Sequence, residues 1–497
     1  MYTLDSIFRT DPKSRLSGHG ENYRKIELYE KEINNTQNYN VFEEGDSFDS
    51  IGDEFCGFDS ENTEKTPYNP NKIDVQEEEN SRKMYFQNLL DKRKFDAFEE
   101  YMLNCNVIFA TMIGSAPNGS MKFFRPAELN EYSRKIDVSI VDEVSQALEV
   151  PSFIPILQGE RCILAGDIHQ LPPTITVDRK LFGDDSLHLL DRVDRCFGDI
   201  FTKRLSIQYR MNENIAKWSC GRFYDGLLIP SDSVRSIKLD KKPDFNDFNP
   251  YLLEKQIVFA NTDSESGLYC EKFVNTSYQN FGEAFFISSV VEYLISGKIC
   301  REKDIGVISP YSAQIELIRS LLAKYKNIEV KSIDGYQGRE KQVILLSFVR
   351  TGDNIGFLRD ARRLNVAVTR AKRFLMMVGS EKTMGDERHF RELFSCVDEL
   401  GRFGEVSRFF KECPILVNIF DEIVGKREVS FGINIDCKLH GRCIGKGGAN
   451  VKEIKNKFSG VGIEFLKGKN VVNLSGVLKE VLEVEKRLYS AFQFGNF

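Results

Sequence analysis

Seven short apolar runs, each closing on or near a polar residue or glycine, restrict this chain more than any other feature. They are VIFAT (107–111), VSIVD (138–142), CILAGD (162–167), DIGVISPY (304–311), EVKSID (329–334), VILLSFV (343–349) and FLMMVGS (374–380). Runs this short and this continuously apolar suit strands buried on both faces. Amphipathic stretches separate them, such as AQIELIRSLLAKY, which Ser312 would cap. The alternation predicts an α/β fold with parallel sheets covered by helices. Ligands of such sheets gather at the carboxyl ends of the strands. Asp142, Glu143, Asp167, Ser309 and Asp334 fall there.

Charge divides the chain. The formal net charge is −6 over 497 residues, yet residues 41–80 hold 13 acids and two lysines, so the remainder sums to +5. The acidic stretch, rich in Asn, Ser, Gly and Pro, cannot bury enough apolar surface to order itself and is expected to be disordered. Residues 429–497 carry 11 Lys and Arg against six acids, a net of +5. The overall sign therefore does not exclude a nucleic-acid partner. Eleven cysteines without a C-x-x-C pair, and five histidines outside metal spacing, fit reduced thiols and no metal-finger chemistry. No signal pattern or long apolar span is present, which predicts no membrane and a cytoplasmic or nuclear location. DKRK at 91–94 reads either as a nuclear signal or as a solvated face of a helix spanning about 81–104.

Several stretches carry the residue types of nucleotide chemistry. Asp142 at a strand end is placed to hold Mg²⁺ through water, and Glu143 beside it to take a proton from an attacking water. GDIHQLPPT (166–174) follows one strand later, where Gln170 would orient a water or sense a γ-phosphate. QYRMNENI (208–215) sets Arg210 before a helix. SIDGYQGREKQVILLSFVR (332–350) puts Gly338, Arg339 and Glu340 in a loop before a buried strand. GFLRDARRLNVAVTRAKR (356–373) reads as one helix, with Arg363 and Arg370 seven residues apart on one face.

DEVSQALE, GDIHQLPPT, QYRM, VISPYSAQ, SIDGYQGREKQVILLSFVR and RRLNVAVTRAKR stand in the order of the superfamily 1 helicases. The set resembles the up-frameshift branch, nearest the immunoglobulin-mu switch-region-binding helicases, over about residues 105–410. The resemblance implies two RecA-like lobes clamping ATP and Mg²⁺, and 5′-to-3′ movement on single-stranded RNA or DNA. It implies that Asp142 and Glu143 handle metal and water, Gln170 couples nucleotide to movement, and Arg210 and Arg370 contact the γ-phosphate. Glu340 would then lie near the sugar, with Gly338 and Arg363 also in the cofactor site.

One part of the pattern does not occur in the chain: no G-x-x-x-x-G-K-[ST] run exists among its 497 residues. Such a loop supplies N–H groups and a lysine to the β- and γ-phosphates. YTLDSIFRTDPKSRL at 2–16 resembles the family's segment downstream of that loop, so the first lobe is expected to be incomplete, with VSIVD lacking a neighbour. A separate chain supplying the loop is one expectation, a truncated helicase another, and a non-catalytic RNA-binding regulator a third. The tail resembles a KH domain of the first type. Ile444, Gly445, Lys446, Gly447 and Gly448 sit between two helical segments, ahead of strands VGIEF and NVVNLSG and a helix from about 477. Such a loop clamps about four nucleotides of single strand. The expected domains are first-lobe material at 1–40, the acidic segment at 41–80, an incomplete first lobe at 81–200, a second lobe at 201–395, a connector at 396–428 and the KH domain at 429–497.

Overall fold

The computed structural model describes residues 75–116, 136–173, 189–239 and 250–494, apart from 266, 275, 353, 426 and 427. The expectations for 1–40 and for 41–74 lie outside these residues. The chain divides into two units, Met1–Asp142 with Glu149–Leu164, and Glu143–Leu148 with Ala165–Phe497.

The first unit holds helix α1 (Val75–Asn104), strand β1 (Ile136–Val141), helix α2 (Glu149–Ile156) and strand β2 (Gly159–Leu164). Residues 75–80 are helical, so the expected disorder does not reach to residue 80. β1 and β2 pair in parallel through the α2 crossover, and Ser139 Oγ donates to Pro155 O at 2.7 Å to fix that helix. VIFAT is not a strand. A strand needs a neighbour for its N–H and C=O groups, and residues 107–111 join no ladder; Val107 and Phe109 are exposed. Among the described residues β1 pairs with β2 alone. Val138, Ile140 and Ile163 are left exposed.

The second unit is built on a six-stranded parallel sheet in the order β12–β5–β11–β10–β8–β9. Its strands are β5 (Ile257–Asn261), β8 (Ile305–Ile308), β9 (Glu329–Lys331), β10 (Lys341–Ser347), β11 (Ala371–Gly379) and β12 (Arg402–Glu405). Successive residues alternate between two cores, as the period of a strand requires. Ile257, Phe259, Ile344 and Leu375 pack with helices α4 (Glu213–Phe223), α7 (Ala361–Val368) and α8 (Arg388–Leu400). Val258, Ala260, Leu345 and Met376 pack with α5 (Phe281–Ser296), α6 (Ser312–Leu321) and α9 (Pro414–Gly425). β12 and α9 lie past residue 395, so the sheet and its cover draw on the stretch read as a connector. Ahead of the sheet come α3 (Leu189–Phe197) and the short parallel pair β3 (Ile207–Gln208) and β4 (Ile229–Pro230).

Helix starts follow side-chain chemistry. Asn280 caps α5 by accepting from Glu283 N, and Asn212 caps α4. Ser312 does not cap α6: the N-cap is Tyr311, and Ala313 N donates instead to Ser277 Oγ at 3.2 Å. Below the α5 cap lies a buried polar node. Glu283 accepts from Ser347 Oγ at 2.6 Å and, on its two oxygens, from Val349 N at 3.1 and 2.9 Å. Val349 has φ 74°, a conformation that a β-branched residue rarely adopts.

The KH region is β13 (Glu428–Asn434), α10 (His440–Ile444), α11 (Ala449–Lys457), β14 (Gly462–Phe465), β15 (Val471–Val477) and α12 (Leu478–Phe494). Its antiparallel sheet runs β13–β15–β14. It shares its core with the lobe. Phe281 and Phe285 of α5 are buried among Phe431, Leu474, Val481 and Leu488. The hairpin β6 (Lys272–Val274) and β7 (Ser277–Gln279) packs on β13, and Lys272 pairs with Glu485, both side chains being more than nine-tenths buried. No helix among the described residues is long and apolar enough to cross a membrane.

Candidate nucleotide site and nucleic-acid loop

Asp142 follows β1 at the end of the first unit's first stretch and is exposed. Glu143, which opens the second unit's first piece, has φ 53° and ψ 34°. A left-handed turn at a non-glycine residue is uncommon and concentrates at functional sites. Gln146 Nε2 donates to Glu143 Oε2 at 2.6 Å. Among the described residues no group of three or more His, Cys, Asp or Glu converges as a metal cage.

Gln170 is positioned by Asp167. Its Nε2 donates to Asp167 Oδ2 at 2.9 Å, and its N–H to Asp167 O at 3.1 Å. Asp167 is itself pinned: Ser145 Oγ accepts from its N–H, while Tyr224 donates to Oδ2 at 2.6 Å. Burial first, then the Asp167 charge, pushes the Tyr224 hydroxyl well above the usual phenol range. Asn365 of α7, fully buried, donates to His169 O at 2.9 Å and to Tyr224 Oη at 3.3 Å. The GDIHQ loop is thus tied to α4 and α7 through Asp167, Tyr224 and Asn365. Sequence reasoning did not place Tyr224 or Asn365 in the site.

Arg210 stands at the turn before α4. Gln208 shapes that turn, its Oε1 accepting the N–H groups of Arg210 and Met211 at 2.8 Å and its Nε2 donating to Met211 O at 2.7 Å. Arg210 Nε donates to Glu340 Oε2 at 2.5 Å and Nη1 to Thr369 O at 3.3 Å. Lys372 Nζ lies 2.5 Å from Glu340 Oε1. Tyr209, next to Arg210, is exposed.

Arg370 is not on the helix with Arg363. α7 ends at Val368, where Thr369 Oγ1 bonds back to Asn365 O at 2.7 Å, and Ala371 already belongs to β11. Arg370 sits between them, 2% exposed. It donates to Val366 O at 2.9 Å, to Thr369 Oγ1 at 2.9 Å and to Arg339 O at 3.4 Å, all neutral oxygens. Burial and then the nearby Arg210 lower its pKa to about 10, with Glu143 and Glu340 acting the other way. Arg363 instead lies over the Phe357 ring at 5.3 Å. Gly338, at φ 72°, bends the loop toward Glu340. The second unit therefore gathers Arg210, Glu340 and Arg370, and leaves Arg363 with other partners.

In the tail, Gly445, Gly447 and Gly448 have φ of 78°, 64° and 78°, the left-handed values that make a non-glycine residue strained. Lys446 and Gly447 are exposed, and Ile444 is half-buried behind them. A Cβ on Gly447 would meet nothing within 4 Å, so the loop presents bare backbone.

Residues 5–177 and 186–382 each match an AAA domain, and residues 430–490 match a KH domain. The DNA-binding protein SMUBP-2 of Rattus norvegicus is 33% identical over 325 residues, 65% of this chain and 32% of its own length. The DNA polymerase alpha-associated DNA helicase A of Schizosaccharomyces pombe is 36% identical over 308 residues, 59% of this chain and 43% of its own. Helicase SEN1 of Saccharomyces cerevisiae is 32% identical over 317 residues, 61% of this chain and 13% of its own. The chain spans less than half the length of these relatives. Its ordered motifs, its parallel sheet and these matches make it a helicase-family protein, with two AAA domains followed by a KH domain.

Proposed function

We propose that the chain is a strand-binding, nucleotide-responsive part of an ATP-dependent 5′-to-3′ helicase acting on single-stranded RNA or DNA, in the cytoplasm or nucleus. The observation that carries this reading is Arg370. A buried guanidinium whose hydrogen bonds run to neutral oxygens has charge to offer an anion, and Arg210 stands beside it. That donor set fits the phosphates of a nucleoside triphosphate. Mg²⁺ commonly keeps its waters and uses only one or two carboxylates plus phosphate oxygens, which suits Asp142 without a protein cage. Bound ATP would supply the hydrolysable γ-phosphate, and Mg²⁺ would offset charge on its oxygens. Glu143 is proposed to accept the proton of the attacking water, and Gln170, aimed by Asp167, to orient that water. Arg210 and Arg370 would face the charge developing on the phosphoryl oxygens. Gly445–Gly448 would clamp the strand, with Lys446 on phosphate.

The test is titration of the chain with a fluorescent single strand of about ten nucleotides, enough to fill the KH clamp. Binding is expected to weaken steeply with salt as counterions are released. Replacing Lys446 and Gly447 together by Asp should weaken it about tenfold or more, because two negative charges then face phosphate. Equal affinity in the two proteins, both folded by circular dichroism, would refute the clamp. Because the sequence holds no G-x-x-x-x-G-K-[ST] run, ATP turnover of the 497-residue chain is expected near background. Turnover of about 1 s⁻¹ or more, abolished by Glu143→Gln, would contradict that.

A further inference from the structure

Away from the nucleotide site, four aromatic rings make a continuous line across the lobe. Phe273 meets Tyr278 at 5.2 Å, Tyr278 meets Tyr311 at 5.5 Å, and Tyr311 meets Phe357 at 6.3 Å between ring centroids. The two end rings are exposed, Phe273 by 52% and Phe357 by 58%, while Tyr311 lies beneath. Arginines are interleaved: Arg350 lies over Tyr278 at 4.1 Å and Arg363 over Phe357 at 5.3 Å. The acids nearby are already engaged, Glu271 by Arg350 and Asp360 by Arg362. Gly356, at φ 58°, lets the Phe357 segment press close, since a Cβ there would meet Tyr311 Oη at 2.8 Å.

The line ends at the KH domain. Along β6, Lys272 and Val274 point into the shared core, where Lys272 meets Glu485 and lies 5.3 Å from the Phe431 ring. Phe273 between them points the other way, by the two-residue period of a strand. One face of this hairpin is thus welded to the KH sheet, and its other face carries the exposed end ring.

We propose that Phe273 and Phe357, with Arg363 beside them, form a base-stacking track that carries a single strand between the lobe and the KH clamp. Exposed rings with a guanidinium group beside them are what a sequence-tolerant single-strand surface requires, since every base has a π-face. The occupant is single-stranded nucleic acid, favoured by Arg363 beside the exposed Phe357 ring and by continuity with the basic KH tail. This inference rests on the nucleic-acid reading given above.

The experiment compares wild-type chain with Phe273→Ala/Phe357→Ala, using fluorescent oligouridylates of about eight and about twenty-four nucleotides, against a KH footprint of about four. Wild type should bind the longer strand more tightly. The double variant should keep its affinity for the short strand and lose about tenfold or more for the long one. Phe273→Trp/Phe357→Trp should restore it, which a purely structural role would not do. An unchanged long-strand affinity in the alanine variant, with unchanged melting temperature, overturns the track while leaving the clamp intact. Wild type that binds neither strand overturns the nucleic-acid reading and the track with it. An alanine variant that loses affinity for an apolar peptide but not for RNA likewise overturns the track.

Discussion

Glu340 holds Arg210: the arginine Nε donates to one carboxylate oxygen at 2.5 Å, while Lys372 engages the other. Burial alone would raise the Glu340 pKa, but the Lys372 and Arg210 hydrogen bonds outweigh it and lower the value, so the carboxylate stays ionised. The family resemblance implies a place for Glu340 near the nucleotide's sugar; its carboxylate here holds the Arg210 guanidinium in place.

Glu340→Ala should therefore mimic Arg210→Ala. The pair is about a third exposed, so stability should fall by only about 0.2–1 kcal/mol. Affinity for a fluorescent ATP analogue should fall several-fold in both variants, and the double variant should be no worse than either. Additive losses in that titration would show that Glu340 acts independently of Arg210.

Asn365→Ala strips donors from His169 O and Tyr224 Oη inside the lobe. Leaving buried polar groups unpaired costs about 1–3 kcal/mol, and a domain of this size loses about 2–4 °C per kcal/mol. A melting-temperature drop of about 2–12 °C is expected on those figures. Asn365→Asp should be worse than Ala, because a carboxylate would face the His169 carbonyl. A melt within 1 °C of wild type, on that scale, would contradict the network.

Lys272→Ala should destabilise the KH region by about 3–5 kcal/mol, because it strands Glu485 in an apolar core. Lys272→Met combined with Glu485→Leu should recover most of that loss. Urea denaturation of the three proteins measures it. If the double variant is as weak as Lys272→Ala, the pair is not isolated from other partners.

Glu283 gives the lobe a pH signature. Burial, exceeding the hydrogen bonds from Ser347 and the Val349 backbone, pushes its pKa up to about 8 from an ordinary 4.5. An acid with a higher pKa folded than unfolded binds more protons in the folded state. Stability therefore falls as pH rises from about 4.5 to about 8, by up to about 1.4 kcal/mol per unit. In Glu283→Gln the slope over that window should flatten, from a lower starting value because an amide N–H then faces Val349 N–H. Parallel slopes in denaturation series would exclude Glu283 as the source.

The runs DIGVISPY, VILLSFV and FLMMVGS became β8, β10 and β11, apolar strands buried on both faces, whereas CILAGD entered β2 with Ile163 left exposed. VIFAT has the same composition but no ladder, and composition does not reveal whether a neighbour is present. RRLNVAVTRAKR kept helical spacing through Val368 and then belonged to a strand. The side-chain bond of Thr369 that ends the helix has no periodic signature. The first KH strand is legible in the alternation of Val429, Phe431 and Ile433. The Asp167–Tyr224–Asn365 node was not legible at all. Its members stand 57 and 141 residues apart in pairs, and only folding brings them together.

The core common to α5 and the KH sheet has a consequence for how such chains can be recombined. A cut at the start of β13 would leave Phe281 and Phe285 facing water and the Lys272 ammonium without its counter-charge. Another tail grafted there would have to bring its own socket for two phenyl rings and an acid at the right depth. The unit that a graft would have to carry is therefore larger than the KH sequence: it includes the Lys272–Gln279 hairpin and the start of α5 through Phe285.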